Sequence, residues 1–127
     1  MNRLLSTALI MTAIIALAGC SAASSAGTVA PSIDPDALTI SAKDLKFSTS
    51  ALSAPAGKPF QIAFDNQEAA PHNVAIYRDS SATQKIFGSD PFSGPAVVRY
   101  DVPPLAPGSY FFRCDVHPAM SGQLTVN

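Results

Sequence analysis

The chain is sparing with the side chains that do metal and nucleophilic chemistry, holding two histidines, two cysteines and three methionines in 127 residues. Charge is scarce as well: Asp, Glu, Lys and Arg make up 13% of the residues and nearly cancel, for a net charge of −1. Nothing in that balance points to nucleic acid or to a strongly charged partner. No internal repeat is visible, and no segment carries a long amphipathic helical pattern. No apolar run reaches the about 20 residues that a membrane-spanning helix needs.

What is present begins with an address. Arg3 precedes an apolar run from Leu4 to Leu17, broken only by small polar residues, and then Leu17-Ala18-Gly19-Cys20. A positive start, a short apolar stretch and a small-residue cleavage region describe a secretory signal, assigned to residues 1–19. Its last four residues resemble the lipobox of bacterial lipoproteins, in which the cysteine is diacylated and becomes the mature N-terminus. For Cys20 the likeness implies lipidation and an exported bacterial lipoprotein, extracytoplasmic and held to a membrane by its lipid without spanning it. The plainer alternative is an ordinary signal peptide cut nearby, with Cys20 incidental. Residues 20–36, small and polar with little to bury, read as a flexible tether. Residues 37–127, about 90 in number, suffice for one small domain, expected to be monomeric.

Within that domain the apolar period is that of strands. Leu38, Ile40 and Ala42 alternate with polar residues, as do Phe60, Ile62 and Phe64 before a turn-like Asp65-Asn66-Gln67, and then Val74 and Ile76. Val97 to Val102 ends at Pro103-Pro104-Leu105-Ala106-Pro107-Gly108, where fixed proline torsions and a permissive glycine make a sharp turn. Tyr110 to Cys114 and Gly122 to Val126 complete the set. Ala82 to Phe87 is expected to hold a short turn of helix, within a variable connection from Arg78 to Pro95. Many short strands with proline and glycine turns predict an all-β fold, an antiparallel sandwich or barrel.

The densest chemistry lies at Cys114-Asp115-Val116-His117-Pro118-Ala119-Met120, where a thiol, an imidazole and a thioether recur at every third position. Thiolate and thioether suit Cu(I), imidazole suits both oxidation states, and two His with one Cys and a weak axial Met make an electron-transfer copper centre. Met1 and Met11 fall in the signal segment and Cys20 is accounted for. One Cys, one Met and two His remain, so His72 becomes the fourth donor. Strand parity puts His72 on the face of Val74 and Ile76, and Cys114 on the face of Tyr110 and Phe112. Two strands from opposite sheets would then bring imidazole and thiolate together. Pro118 disfavours a regular helix at His117, so successive tight turns should carry the loop.

Gly108-Ser109-Tyr110-Phe111-Phe112-Arg113-Cys114, continued through His117, Met120 and Gly122-Gln123-Leu124-Thr125-Val126, resembles the cupredoxins, small blue-copper proteins of the plastocyanin, amicyanin and pseudoazurin type. The likeness runs from about Leu38 to Asn127, and the short Cys-x2-His-x2-Met spacing is most similar to amicyanin. It implies an eight-stranded Greek-key β-sandwich. It also implies a trigonal copper plane of His72, Cys114 and His117, with Met120 as the long axial ligand. By the same likeness Asn73 would tie the two ligand loops together through hydrogen bonds, the alternative being a turn residue that satisfies local backbone. His117 would reach the surface through an apolar patch with Pro71, Pro118 and Ala119, where redox proteins dock. Val116 stands where many members have proline, which implies a less rigid loop.

Other classes fit less of the chain. A Cys–His hydrolase could pair Cys114 with His117 but leaves Met120 and His72 idle, and a structural zinc site does not use Met. The expected function is that of a mononuclear type 1 copper protein, a tethered one-electron carrier and not an enzyme, holding one copper ion that cycles between Cu(I) and Cu(II). The alternative is a copper-handling module, for storage or delivery, built from the same donors.

Overall fold

The alternation at Leu38, Ile40 and Ala42 becomes the first strand of the computed structural model, which describes residues 34–127. The signal segment, the lipobox with Cys20 and most of the tether lie outside the described residues. Eleven strand segments follow one another: β1 (Leu38–Lys43), β2 (Lys46–Phe47), β3 (Ala51–Ala54), β4 (Phe60–Asn66), β5 (Pro71–His72), β6 (Ala75–Tyr77), β7 (Lys85–Phe87), β8 (Phe92–Ser93), β9 (Ala96–Val102), β10 (Gly108–Arg113) and β11 (Ser121–Val126). They form a four-stranded sheet in the order β2-β1-β4-β9, a five-stranded sheet in the order β3-β11-β10-β6-β7, and a two-stranded ribbon of β5 and β8.

The apolar positions of each sheet turn towards the other. Ile40, Ile62, Phe64, Tyr100 and Val102 from one and Ile76, Tyr110, Phe112, Leu124 and Val126 from the other join in one buried cluster. Phe64 is central, edge-on to Phe47 at 6.1 Å and to Phe92 at 5.6 Å between ring centroids, the arrangement aromatic quadrupoles favour. At the foot of β10 the Tyr110 hydroxyl donates to the Ala106 carbonyl at 2.9 Å, pinning the proline-rich turn to the strand that leads to Cys114. Across the β10–β11 pair, Phe112 lies opposite Gly122. A Cβ at Gly122 would collide with the Phe112 ring and with the Ser50 carbonyl, so glycine is what leaves room for the ring there.

Several expectations need correction. The sandwich is not wholly antiparallel: β1 pairs with β4, and β3 with β11, in parallel. The eight strands implied by the resemblance are eleven segments, because short strands break at turns and the ribbon stands apart. Residues 85–87 are not helical but pair with β6 at the sheet edge. Asn66 is not a turn residue; it ends β4 fully buried, its Nδ2 donating to the carbonyls of Ala70 at 2.9 Å and Phe92 at 2.8 Å. Its Oδ1 accepts from the Glu68 amide at 3.1 Å. Asn66 thereby clamps both strands of the β5–β8 ribbon to the end of the four-stranded sheet. A side-chain amide with such partners costs little to bury, whereas unpaired it would cost about 1–3 kcal/mol.

Candidate metal centre

Cys114 comes one residue after β10 and keeps that strand's inward parity, fully buried below the partly exposed loop that follows. The Cys114 amide donates to the Met120 carbonyl and the Met120 amide to the His117 carbonyl, each at 2.9 Å. These bonds close the loop on itself with one tight turn rather than the successive turns expected, with Pro118 and Ala119 at its exposed tip and Met120 returned to the interior, 3% exposed.

His72 arrives differently from the parity argument. The chain does not run as one strand from His72 to Ile76; β5 stops at His72, which pairs with Phe92, and β6 starts at Ala75. Nor does His72 belong to either large sheet: β5 pairs with β8, and only β6, which follows it, lies beside β10 in the five-stranded sheet. The ribbon, clamped by Asn66, carries His72 over the end of that sheet towards Cys114. His72 is fully buried, and its Nε2–H donates to Glu68 Oε1 at 2.6 Å, leaving Nδ1 to face the centre. Glu68 also accepts the Asp44 and Leu45 amides, at 3.0 and 3.1 Å. Both residues hold the left-handed conformation, at φ of 52° and 55°, uncommon without glycine. The Leu45 amide holds the Glu68 carboxyl below its ordinary value; burial pushes the other way, and His72 and the Asp44 amide help to hold it down.

Three donor atoms meet in a triangle. Cys114 Sγ lies 3.7 Å from His72 Nδ1 and 3.9 Å from His117 Nδ1, and the two nitrogens are 3.2 Å apart. A point equidistant from all three lies about 2.1 Å from each, within the range of imidazole and thiolate bonds to a first-row divalent ion. The thiol is free, and His117 is the half-buried member of the set. The residues present therefore fit a metal ion bound by one thiolate and two imidazoles, with the buried Met120 at the end of the same loop.

A second cluster backs the triangle. Asn73, fully buried, accepts the Asp115 amide on Oδ1 at 2.8 Å and donates from Nδ2 to Asp115 Oδ2 at 3.0 Å and to the Ser89 carbonyl at 2.7 Å. It ties the residue after His72 to the residue after Cys114, as the resemblance implied. Asp115 also receives the Tyr77 hydroxyl and, at 2.6 Å, the Lys85 ammonium. The Arg113 guanidinium lies over the Tyr77 ring, 4.8 Å from its centroid. Burial raises the Asp115 carboxyl, but the bonds from Lys85, Tyr77 and Asn73 outweigh it and hold the group below its usual range; Asp115 in turn raises Lys85.

Sequence reasoning named His72, Cys114, His117 and Met120, and the fold gathers the first three donors and buries the fourth residue beside them. It passed over Glu68, Asp115, Tyr77 and Lys85. Glu68 had a signal, as the chain's only glutamate, four residues before a candidate ligand. Tyr77 and Lys85 had none, because only strand pairing brings them to Asp115. Pro71, Val116, Pro118 and Ala119, beside the ligands in sequence, are exposed.

Comparison with known proteins follows the same lines. The family model of the cupredoxin-like domain matches residues 8–126. No curated protein matches significantly. Among solved structures the chain is similar to auracyanin from the photosynthetic bacterium Roseiflexus castenholzii, with a TM-score of 0.64 and 20% identity over 72% of this chain and 97% of that one. Auracyanin A, a "blue" copper protein from Chloroflexus aurantiacus, gives 0.62 and 22% over 72% and 98%. Amicyanin from Paracoccus versutus gives 0.57 and 24% over 75% and 85%. At these identities the likeness establishes the fold.

Proposed function

Because the chain belongs to the cupredoxin-like family, we propose that it is a mononuclear type 1 copper protein serving as a one-electron carrier, in which His72, Cys114, His117 and Met120 would hold the ion. The observation that carries this reading is the Sγ–Nδ1–Nδ1 triangle around a free, buried thiol. A soft thiolate and thioether with two imidazoles form a set acceptable to both Cu(I) and Cu(II), and a bound copper ion supplies the one-electron couple. The chain's own part is to keep the donors still. Glu68 fixes the ring and proton of His72, Asn73 joins the two loops, and the 114–120 hydrogen bonds close the second. Rigid donors need little rearrangement when charge changes.

His117, the half-buried donor, lies on the exposed edge formed by Val116, Pro118 and Ala119, and redox proteins dock there in this proposal. The carrier is further proposed to work outside the cytoplasm, tethered to a membrane through lipid on Cys20; the signal-like sequence of residues 1–20 supports that part. Cu(II) added to the mature protein should produce an intense thiolate-to-copper absorption and reversible voltammetry. Cys114→Ser should abolish the band. A colourless, weakly binding protein would overturn the copper reading, and copper given up to a chelator without reversible voltammetry would indicate metal handling instead. Labelling with a fatty acid, lost in Cys20→Ser, tests the tether.

A further inference from the structure

The Asp115 carboxylate is the acidic group nearest in sequence to the thiol, and the fold does not leave it free to swing. Its backbone amide is held by Asn73, and its oxygens are held by Asn73 Nδ2 at 3.0 Å, the Tyr77 hydroxyl and Lys85 Nζ at 2.6 Å. Arg113 Nε stands 4.0 Å from Oδ1, beyond hydrogen-bond reach, so Lys85 is the cation in direct contact. The pair is asymmetric. Asp115 adjoins Cys114 and its side chain is 23% exposed, whereas Lys85 comes from the edge strand β7 with its side chain 46% exposed. The negative end is thus anchored at the ligand loop and the positive end faces solvent.

We propose that Asp115 and Lys85 act as opposed electrostatic positioning residues that set the reduction potential of the copper centre. The inference rests on the copper reading above. A thiolate-ligated copper site carries one more unit of positive charge when oxidised than when reduced. An anchored carboxylate on the residue next to the thiolate stabilises the oxidised form, and the ammonium opposes it. Coulombic effects of this kind fall with distance and dielectric, and salt screens the exposed partner more than the half-buried one. Tyr77 and Asn73 hold the carboxylate in place without altering its charge.

The test is direct voltammetry of copper-loaded wild type, Asp115→Asn, Lys85→Gln, Lys85→Arg and the Asp115→Asn/Lys85→Gln double variant, each at low and high salt. Asp115→Asn should raise the potential and Lys85→Gln lower it. The double variant should fall between the two, and Lys85→Arg should restore the wild-type value. The Lys85→Gln shift should shrink in high salt. A purely structural tether would move both single variants in one direction and broaden the thiolate-to-copper band. Lys85 lies off the core, so Lys85→Gln carries the sign test even if Asp115→Asn folds poorly. Single variants that shift together, or not at all, with the wild-type band intact would overturn this proposal alone. Absence of the band in wild type would overturn the copper reading and this proposal with it.

Discussion

Glu68 shows how much one side chain can be asked to hold. Its carboxylate accepts hydrogen bonds from His72 Nε2–H and from the amides of two left-handed residues, so a surface turn and a buried donor share one anchor. Outer-shell partners of ligating histidines typically matter by about 10–100-fold in metal affinity, and Glu68→Gln should weaken copper binding by that order in competition with a chelator. Lys85 is the other residue with a readable signature. Its folded value lies above that of the unfolded chain because of Asp115, so its stabilisation is whole below the ordinary lysine range of about 10.4 and is lost as pH climbs through the raised value. The pair is partly exposed, which limits its worth to about 1 kcal/mol or less. Urea unfolding of wild type and Lys85→Met should differ at neutral pH and converge at strongly alkaline pH.

At the scale of elements, β10 and β11 carry the loop that matters, and their pairing depends on a residue with no side chain. Gly122 leaves room for the Phe112 ring opposite it, one residue pair from the start of the ligand loop. Gly122→Ala sets a methyl group against both that ring and the rigid Ser50 carbonyl. Overpacking of this kind costs about 1–3 kcal/mol, and in a domain of this size a melting temperature lower by roughly 4–8 °C per kcal/mol should follow. The β5–β8 ribbon plays the matching part for His72. It is only two residues deep on each side, and its hold comes from Asn66 and from Phe92 packing on Phe64.

For the described domain as a whole, the centre sits where the 114–120 loop of the five-stranded sheet meets the His72 ribbon clamped to the other sheet. Metal bound only by the folded arrangement must stabilise it by linkage, by about 4 kcal/mol when free copper is 1,000 times its dissociation constant. Calorimetry should therefore show a melting temperature that rises with copper, drops on chelation, and is indifferent to copper in Cys114→Ser. Wild type indifferent to copper would contradict a built site.

Much of this was legible in the chain. Alternation marked β1 and β4 because half-buried strands impose a period of two, and a run of β-branched and aromatic residues marked β9. The donors could be named because so few side chains of their kind exist, and elimination left His72 without a rival. What failed were statements about neighbours. Asn66 read as a turn because nothing local reveals two distant carbonyls waiting for its amide. The segment 85–87 read as helical because an edge strand gains its bonds from β6 and not from itself. By itself the sequence determined the strand period, the donor inventory and the tight loop from Cys114 to Met120, all matters of near neighbours along the chain. Tertiary structure alone decided that a separate ribbon brings His72 to the loop after β10, which nitrogen of His72 faces the thiol, and that Lys85 and Tyr77 meet at Asp115. Those contacts join residues far apart in sequence, and only the pairing of β6, β7 and β10 and the placing of the ribbon bring them within bonding distance.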